Sequence, residues 1–119
     1  MNEFKNALIH IQKDEYEKGK KYIDSNHKIN LFDCEYYISD MVRVLKIGGH
    51  SKGSCIVEIY DTDKCTVVVG DECYSHKCIS EQIPTGCSVC YEKSVEFIKK
   101  YSNGKYKLLF CHDEIVLGE

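Results

Sequence analysis

"SCIVEIYDTDKCTVVVG", residues 54–70, sets two β-branched runs on either side of the polar tetrapeptide Asp61–Lys64. That pattern predicts a β-hairpin. Cys55, Val57 and Ile59 alternate onto one face of the first strand, and Cys65, Val67 and Val69 of the second can match them. The hairpin lies in the middle of the chain, so the remainder is read outward from it.

Downstream, a cysteine-rich loop is followed by a helix over about 89–102, with Tyr91, Val95 and Ile98 on one side and Asn103–Gly104 as its stop. "YKLLFC", 106–111, then reads as a strand, 112–114 as a turn, and "IVLG", 115–118, as a short terminal strand. Upstream, Phe4, Ala7, Leu8 and Ile11 recur at helical spacing and predict an amphipathic helix from Phe4 to about Ile23. "SNHKINLF", 25–32, is a turn and a short strand. Asp33 can cap a second helix over roughly 34–47, whose stripe is Tyr37, Ile38, Met41 and Leu45 and which Gly48–Gly49 end. The expected fold class is α+β: a two-layer domain over 1–119, with about three helices packed on one face of a small, mainly antiparallel sheet.

Length and composition bound the function. At 119 residues the chain can bury a core of its own, and 43% hydrophobic with 29% charged residues is ordinary for a globular protein. The N-terminal stretch has no uninterrupted apolar region, and no segment approaches the roughly 18 apolar residues of a membrane span, so a cytoplasmic protein with no membrane association is expected. In a reducing compartment eight cysteines point to packing, metal or thiol chemistry rather than disulfides. The net charge of -3 and the single Arg43 among the basic residues argue against direct nucleic-acid binding, for which arginine is the preferred reader.

The densest chemistry is "CYSHKCISEQIPTGCSVC", residues 73–90, with Cys73, Cys78, Cys87 and Cys90 spaced C-x4-C-x8-C-x2-C. Thiolates in such knuckles can hold zinc in a tetrahedron, with Pro84 and Gly86 returning the chain and His76 able to replace one of the first two cysteines. A structural zinc would also organise a long loop. Buried or idle thiols are the plain alternative.

Cys87 opens the third expected helix, where amide dipoles favour a thiolate. "GCSVC" and the helix and strand after it resemble the segment that follows a thioredoxin-like CxxC, which implies redox chemistry at Cys87. No strand leads into Cys87, and no proline follows the next strand to build that family's cis-Pro loop. "VCYEKSVEFI" resembles the C-A-E segment of cytidine deaminases, which implies Cys90 as a zinc ligand and Glu92 as the proton carrier. That family's downstream P-C-x-x-C is missing here.

Outside the loop, Cys111, His112, Asp113 and Glu114 form a polar turn, and His112 is a further zinc-ligand candidate if it folds beside the loop. His10, His27 and His50 are expected to be isolated and exposed. "GGHSKGS", 48–54, reads as a flexible connector, and Asp71 and Glu72 as solvated ends of hairpin strands. Nine tyrosines and an acidic surface suit protein recognition. The expected function is therefore a small protein-binding module, an inhibitor or adaptor, with zinc possible as a structural cofactor and a protein as its partner. The alternative is a thiol-redox or deaminase-like zinc enzyme using Cys87, Cys90 and Glu92. The sequence leaves the oligomeric state open.

Overall fold

A computed structural model describes residues 4–112. In chain order the elements are β1 (Leu8–Gln12), α1 (Lys13–Gly19), β2 (Lys28–Phe32), β3 (Glu35–Ser39), β4 (Val42–Lys46), β5 (Cys55–Tyr60), β6 (Cys65–Val68), α2 (His76–Ser80), α3 (Tyr91–Tyr101) and β7 (Tyr106–Leu109). Single 3-10 turns lie at Lys20–Tyr22 and Gly70–Glu72. The strands form a five-stranded sheet in the order β3-β4-β5-β6-β7 and a separate pair, β1-β2. The sequence 113–119, with its expected terminal strand at 115–118, lies outside the described residues.

The hairpin forms, but its two faces are exchanged. Antiparallel pairing sets Val57 opposite Val68 and Ile59 opposite Thr66, so Val67 and Val69 fall on the other side with Ile56 and Glu58. That second side is the core. Ile56, Val67, Val69 and Cys73 pack with Phe97, Ile98 and Tyr101 of α3. Both faces of this hairpin are apolar enough to be buried, and alternation alone does not choose between them. Helix α3 forms because Ser94, Phe97, Ile98 and Tyr101 lie on one stripe, with Lys99 and Lys100 in its last turn favoured by the helix dipole.

The expected architecture of about three helices on one sheet face is corrected in two places. Residues 34–47 form a β3–β4 hairpin. Tyr36, Tyr37, Ile38, Val42 and Val44 are strand formers, and at Ser39–Asp40 the Ser39 hydroxyl accepts the Met41 N–H at 3.2 Å to make the turn. The spacing of Tyr37, Met41 and Leu45 fits a helix, but the alternation of Val42 and Val44 fits a strand equally well, and side-chain branching decides. Register slips between Tyr37 and Ser39, a bulge on an edge strand. At the N-terminus only 13–19 is α-helical. Leu8–Gln12 instead runs parallel to β2, with Ile9 and Gln12 buried.

Gln12 ends β1 and starts α1, its Oε1 accepting the Asp14 and Glu15 amides at 2.6 and 3.3 Å. Asp14 then pairs with Lys46 Nζ at 2.9 Å and fastens the small β-pair to β4. Hydrogen bonds from Lys46 and then Gln12 lower the Asp14 carboxyl to about 2. A depressed carboxyl contributes stability above its ordinary range and loses it as pH falls through about 2. Lys46→Met is expected to return the Asp14 pKa toward the ordinary carboxylate value, as read by carboxyl-carbon NMR titration.

Candidate functional site

Strands β6 and β7 run parallel, with Val68 opposite Leu109. Asp71 and His112 each lie three residues beyond that pair, so the register alone sets them side by side at the C-terminal ends of adjacent strands. In open sheets that is where sites form. The β4–β5 connection opens at the same end and brings His50. His112 Nε2 lies 2.9 Å from Asp71 Oδ1, and His50 Nε2 lies 3.6 Å from Asp71 Oδ2. One carboxylate thus faces two imidazoles, one on each oxygen. The Tyr74 ring neighbours both, 4.6 Å from the His112 ring and 5.9 Å from that of His50. The Tyr74 carbonyl also accepts the His112 N–H at 3.2 Å. Desolvation, then contact with the Cys87 thiol, raises the Tyr74 phenol above its ordinary pKa.

Glu72 holds the His50 loop. Its side chain is fully buried, and Oε1 accepts the amides of Gly49 at 3.1 Å and His50 at 2.9 Å together with the Ser54 hydroxyl. From the other side the Gly49 carbonyl accepts the amides of Val89 and Cys90. Gly48 has φ 75, a left-handed turn that glycine adopts without strain. Two buried polar atoms near the site have no hydrogen-bond partner among the described residues, His50 Nδ1 and Glu72 Oε2.

Beside His50 and Asp71 opens a cleft of about 500 Å³, with His10, Glu15, Phe32 and Val44 among its other walls. Asn30 Nδ2 lies 3.3 Å from His10 Nδ1. An amide NH2 can only donate, so His10 Nδ1 accepts and Nε2 carries the ring proton. Glu15 Oε1 accepts the Ser51 hydroxyl and, at 3.0 Å, the Gly53 amide. The cleft wall is therefore built from loop backbone tied to two buried or half-buried carboxylates.

The cysteine loop is arranged differently. Cys73 is buried in the core, where its Sγ lies 3.4 Å from the Ser75 carbonyl. Cys78 is half-buried, Cys87 is exposed, and Cys90 is the N-cap residue of α3. His76 begins α2, with its ring edge-on to Phe110 at 5.9 Å. Glu92 is an exposed first-turn acid of α3. Among the described residues no three His, Cys, Asp or Glu side chains enclose a metal position. His112 joins Asp71 and His50 rather than the cysteines. His50, Asp71 and Glu72 are the residues that sequence reasoning passed over. Their signal was positional: each lies three to five residues from the end of a β-branched strand, and only the strand order shows that those ends coincide.

No protein-family profile and no curated protein matches the sequence. Solved structures do match. A probable metal-dependent hydrolase from Staphylococcus aureus superposes over 93% of this chain with a TM-score of 0.76 at 22% identity. An N-acyl homoserine lactone hydrolase, with the product N-hexanoyl-L-homoserine at its catalytic metal centre, covers 92% with a TM-score of 0.75 at 20% identity. A B. thuringiensis protein with N-decanoyl-L-homoserine at its active site gives the same TM-score of 0.75. The chain spans 46–48% of the length of these proteins. The likeness is one of fold, a five-stranded sheet beside a separate two-stranded pair, and it replaces the expected three helices on one sheet face. This finding overturns the expectation of an inhibitor or adaptor acting by surface contact, because the structures that share the architecture are described as metal-dependent hydrolases. The thioredoxin-like and deaminase-like alternatives find no support in it either. Among the described residues no helix is long and apolar enough to cross a membrane.

Proposed function

We propose that this chain carries part of the active centre of a metal-dependent hydrolase, with His50, Asp71 and His112 as the donors at the rim of the cleft; as they stand the imidazoles are turned onto Asp71 and enclose no metal position, so an ion would have to replace those contacts. The observation that carries the reading is the meeting of two imidazoles on one carboxylate where the ends of β6 and β7 and the β4–β5 loop converge. The donor chemistry fits zinc, which takes histidine nitrogen and carboxylate oxygen in catalytic sites. His50 has donor capacity to spare, since Nδ1 has no partner among the described residues and Nε2 is only loosely held. Three side chains are an incomplete shell, which agrees with a chain about half as long as the metal-dependent proteins it resembles.

When bound, such an ion supplies Lewis-acid chemistry at a scissile carbonyl. The protein's own residues do the positioning. Glu72 fixes the backbone on either side of the Gly49–His50 peptide, Asp71 orients both imidazoles, and the Tyr74 ring packs against both. The proton on His10 Nε2 offers a donor in the cleft wall, while Phe32 and Val44 offer apolar contact. That pairing suits an ester or lactone with an apolar acyl group.

Zinc titration by calorimetry tests the reading, followed by assay of N-hexanoyl homoserine lactone opening. Saturable binding is expected, with Asp71→Asn weakening it by about tenfold through loss of the shared carboxylate charge. No heat at millimolar zinc, with the protein folded, would refute it.

A further inference from the structure

Between α3 and the end of β4 opens a second cleft, of about 250 Å³. Its floor is apolar: Phe97 and Tyr101 are 3% and 1% exposed, and Ile47 packs against the same core. Lys93, Phe97 and Lys100 follow one another at i, i+4 and i+7, so a single stripe of α3 sets a lysine on either side of the buried ring. Both ammonium groups rest on the walls. The Lys93 stem lies along Gly48, with Nζ 3.5 Å from the position a Cβ would take there, and Lys100 Nζ stands 5.0 Å from the centroid of the Tyr101 ring.

The charges here do not cancel. Lys46, also in the lining, is answered by Asp14 at 2.9 Å, and Glu58, which the Tyr101 hydroxyl reaches, is answered by Arg43 at 2.6 Å. Glu96 is then the acid of the lining set against Lys93 and Lys100, and none of these three makes an ion pair among the described residues. One positive charge is left over an apolar floor, on a chain whose net charge is -3. That complements a single anion with an apolar body. A phosphate monoester carries about -1.5 to -2 at neutral pH and would exceed it. Clefts for larger ligands start at about 300 Å³, so this one admits a single ring or a short chain. We propose that the cleft binds a small monocarboxylate, its carboxylate between Lys93 and Lys100 and its ring or chain on Phe97 and Tyr101. It shares no lining residue with the cleft of His50 and Asp71, so the proposal does not rest on the metal reading.

Titration of the metal-free 119-residue chain with benzoate at constant ionic strength, followed by amide and aromatic NMR, tests the proposal. Saturable shifts are expected at Ile47, Phe97 and Tyr101. The double variant Lys93→Gln with Lys100→Gln is expected to weaken binding about tenfold or more. Both lysines are exposed, so the fold should persist, and unchanged far-UV circular dichroism checks it. Should the double variant unfold, Lys93→Gln alone carries the same test, with a loss of about threefold. Acetate supplies the charge without the body, and benzyl alcohol the body without the charge; each should bind about tenfold more weakly than benzoate. Any of four results overturns the proposal: no saturation by benzoate, parity with either control, shifts centred on His50 and Asp71 instead, or an affinity indifferent to the lysines. Phenyl phosphate binding more tightly than benzoate overturns the choice of a carboxylate.

Discussion

Arg43→Ala is expected to cost about 3–5 kcal/mol, a large share of the roughly 5–15 kcal/mol that holds a domain together. The sole arginine of the chain sits on β4 directly opposite Glu58 of β5, with Nη2 2.6 Å from Glu58 Oε1. Glu58 is 3% exposed at its side chain, and it also accepts the Tyr60 hydroxyl at 2.7 Å and the buried Tyr101 hydroxyl at 3.3 Å. Removing the guanidinium leaves a charged carboxylate in the core with two neutral donors. Chemical denaturation should show the loss. The double variant Arg43→Met with Glu58→Met should lose less than the single one, because an apolar pair of similar volume removes the desolvation problem. The same network predicts an acid limb. Burial alone would raise the Glu58 carboxyl, but hydrogen bonds from Tyr60 and Arg43 overcome it and hold the group below its ordinary value. Its contribution is therefore complete above the ordinary glutamate range and disappears as pH falls through the depressed value, a loss that should be absent in the double variant.

Gly49→Ala is expected to lower stability by about 1–3 kcal/mol and, if the proposed site binds zinc, to weaken that binding by about 10–100-fold. A Cβ on Gly49 would lie 2.5 Å from both Glu72 Oε2 and Ser94 Oγ, and 3.1 Å from the Ser94 amide nitrogen. None of these can yield freely. Glu72 is fixed by the amides it accepts, and Ser94 is fixed by the first turn of α3 and its 2.8 Å bond to Ser88. The new methyl must push the loop outward, and His50 moves with it. Calorimetry and denaturation on the same preparation separate the two losses. A variant that stays folded with zinc affinity unchanged would show that the His50 loop is not held from Glu72.

The places of the central hairpin and α3 were legible in the sequence, through β-branching around a polar tetrapeptide and the Asn103–Gly104 stop, but their buried faces were not: Val67 pairs with Glu58 rather than Val57, and of the expected stripe Tyr91, Val95 and Ile98 only Ile98 is buried, Tyr91 being 66% exposed. Residues 34–47 misled because Tyr37, Met41 and Leu45 satisfy the helical period while their neighbours satisfy the strand period. The site was hidden for a different reason. Asp71 and His112 are neighbours only if β7 runs parallel to β6, and nothing local in "YKLLFC" specifies its direction. His50 read as part of a loose connector because the group that pins it, Glu72, lies 22 residues away. The cysteine cluster drew attention through proximity along the chain, yet its members found separate partners: a core, a helix cap and open surface.

The parallel pairing of β6 with β7 also sets a timetable. The β3–β4–β5–β6 meander closes through short connections and can form early, while β7 cannot add to its edge until α2, the cysteine loop and α3 have been traversed and docked. Asp71 therefore waits for His112 during folding. The early meander holds only His50 and Asp71 of the three proposed donors, so on the proposed reading of the site the full donor set would report completion of the fold instead of nucleating it.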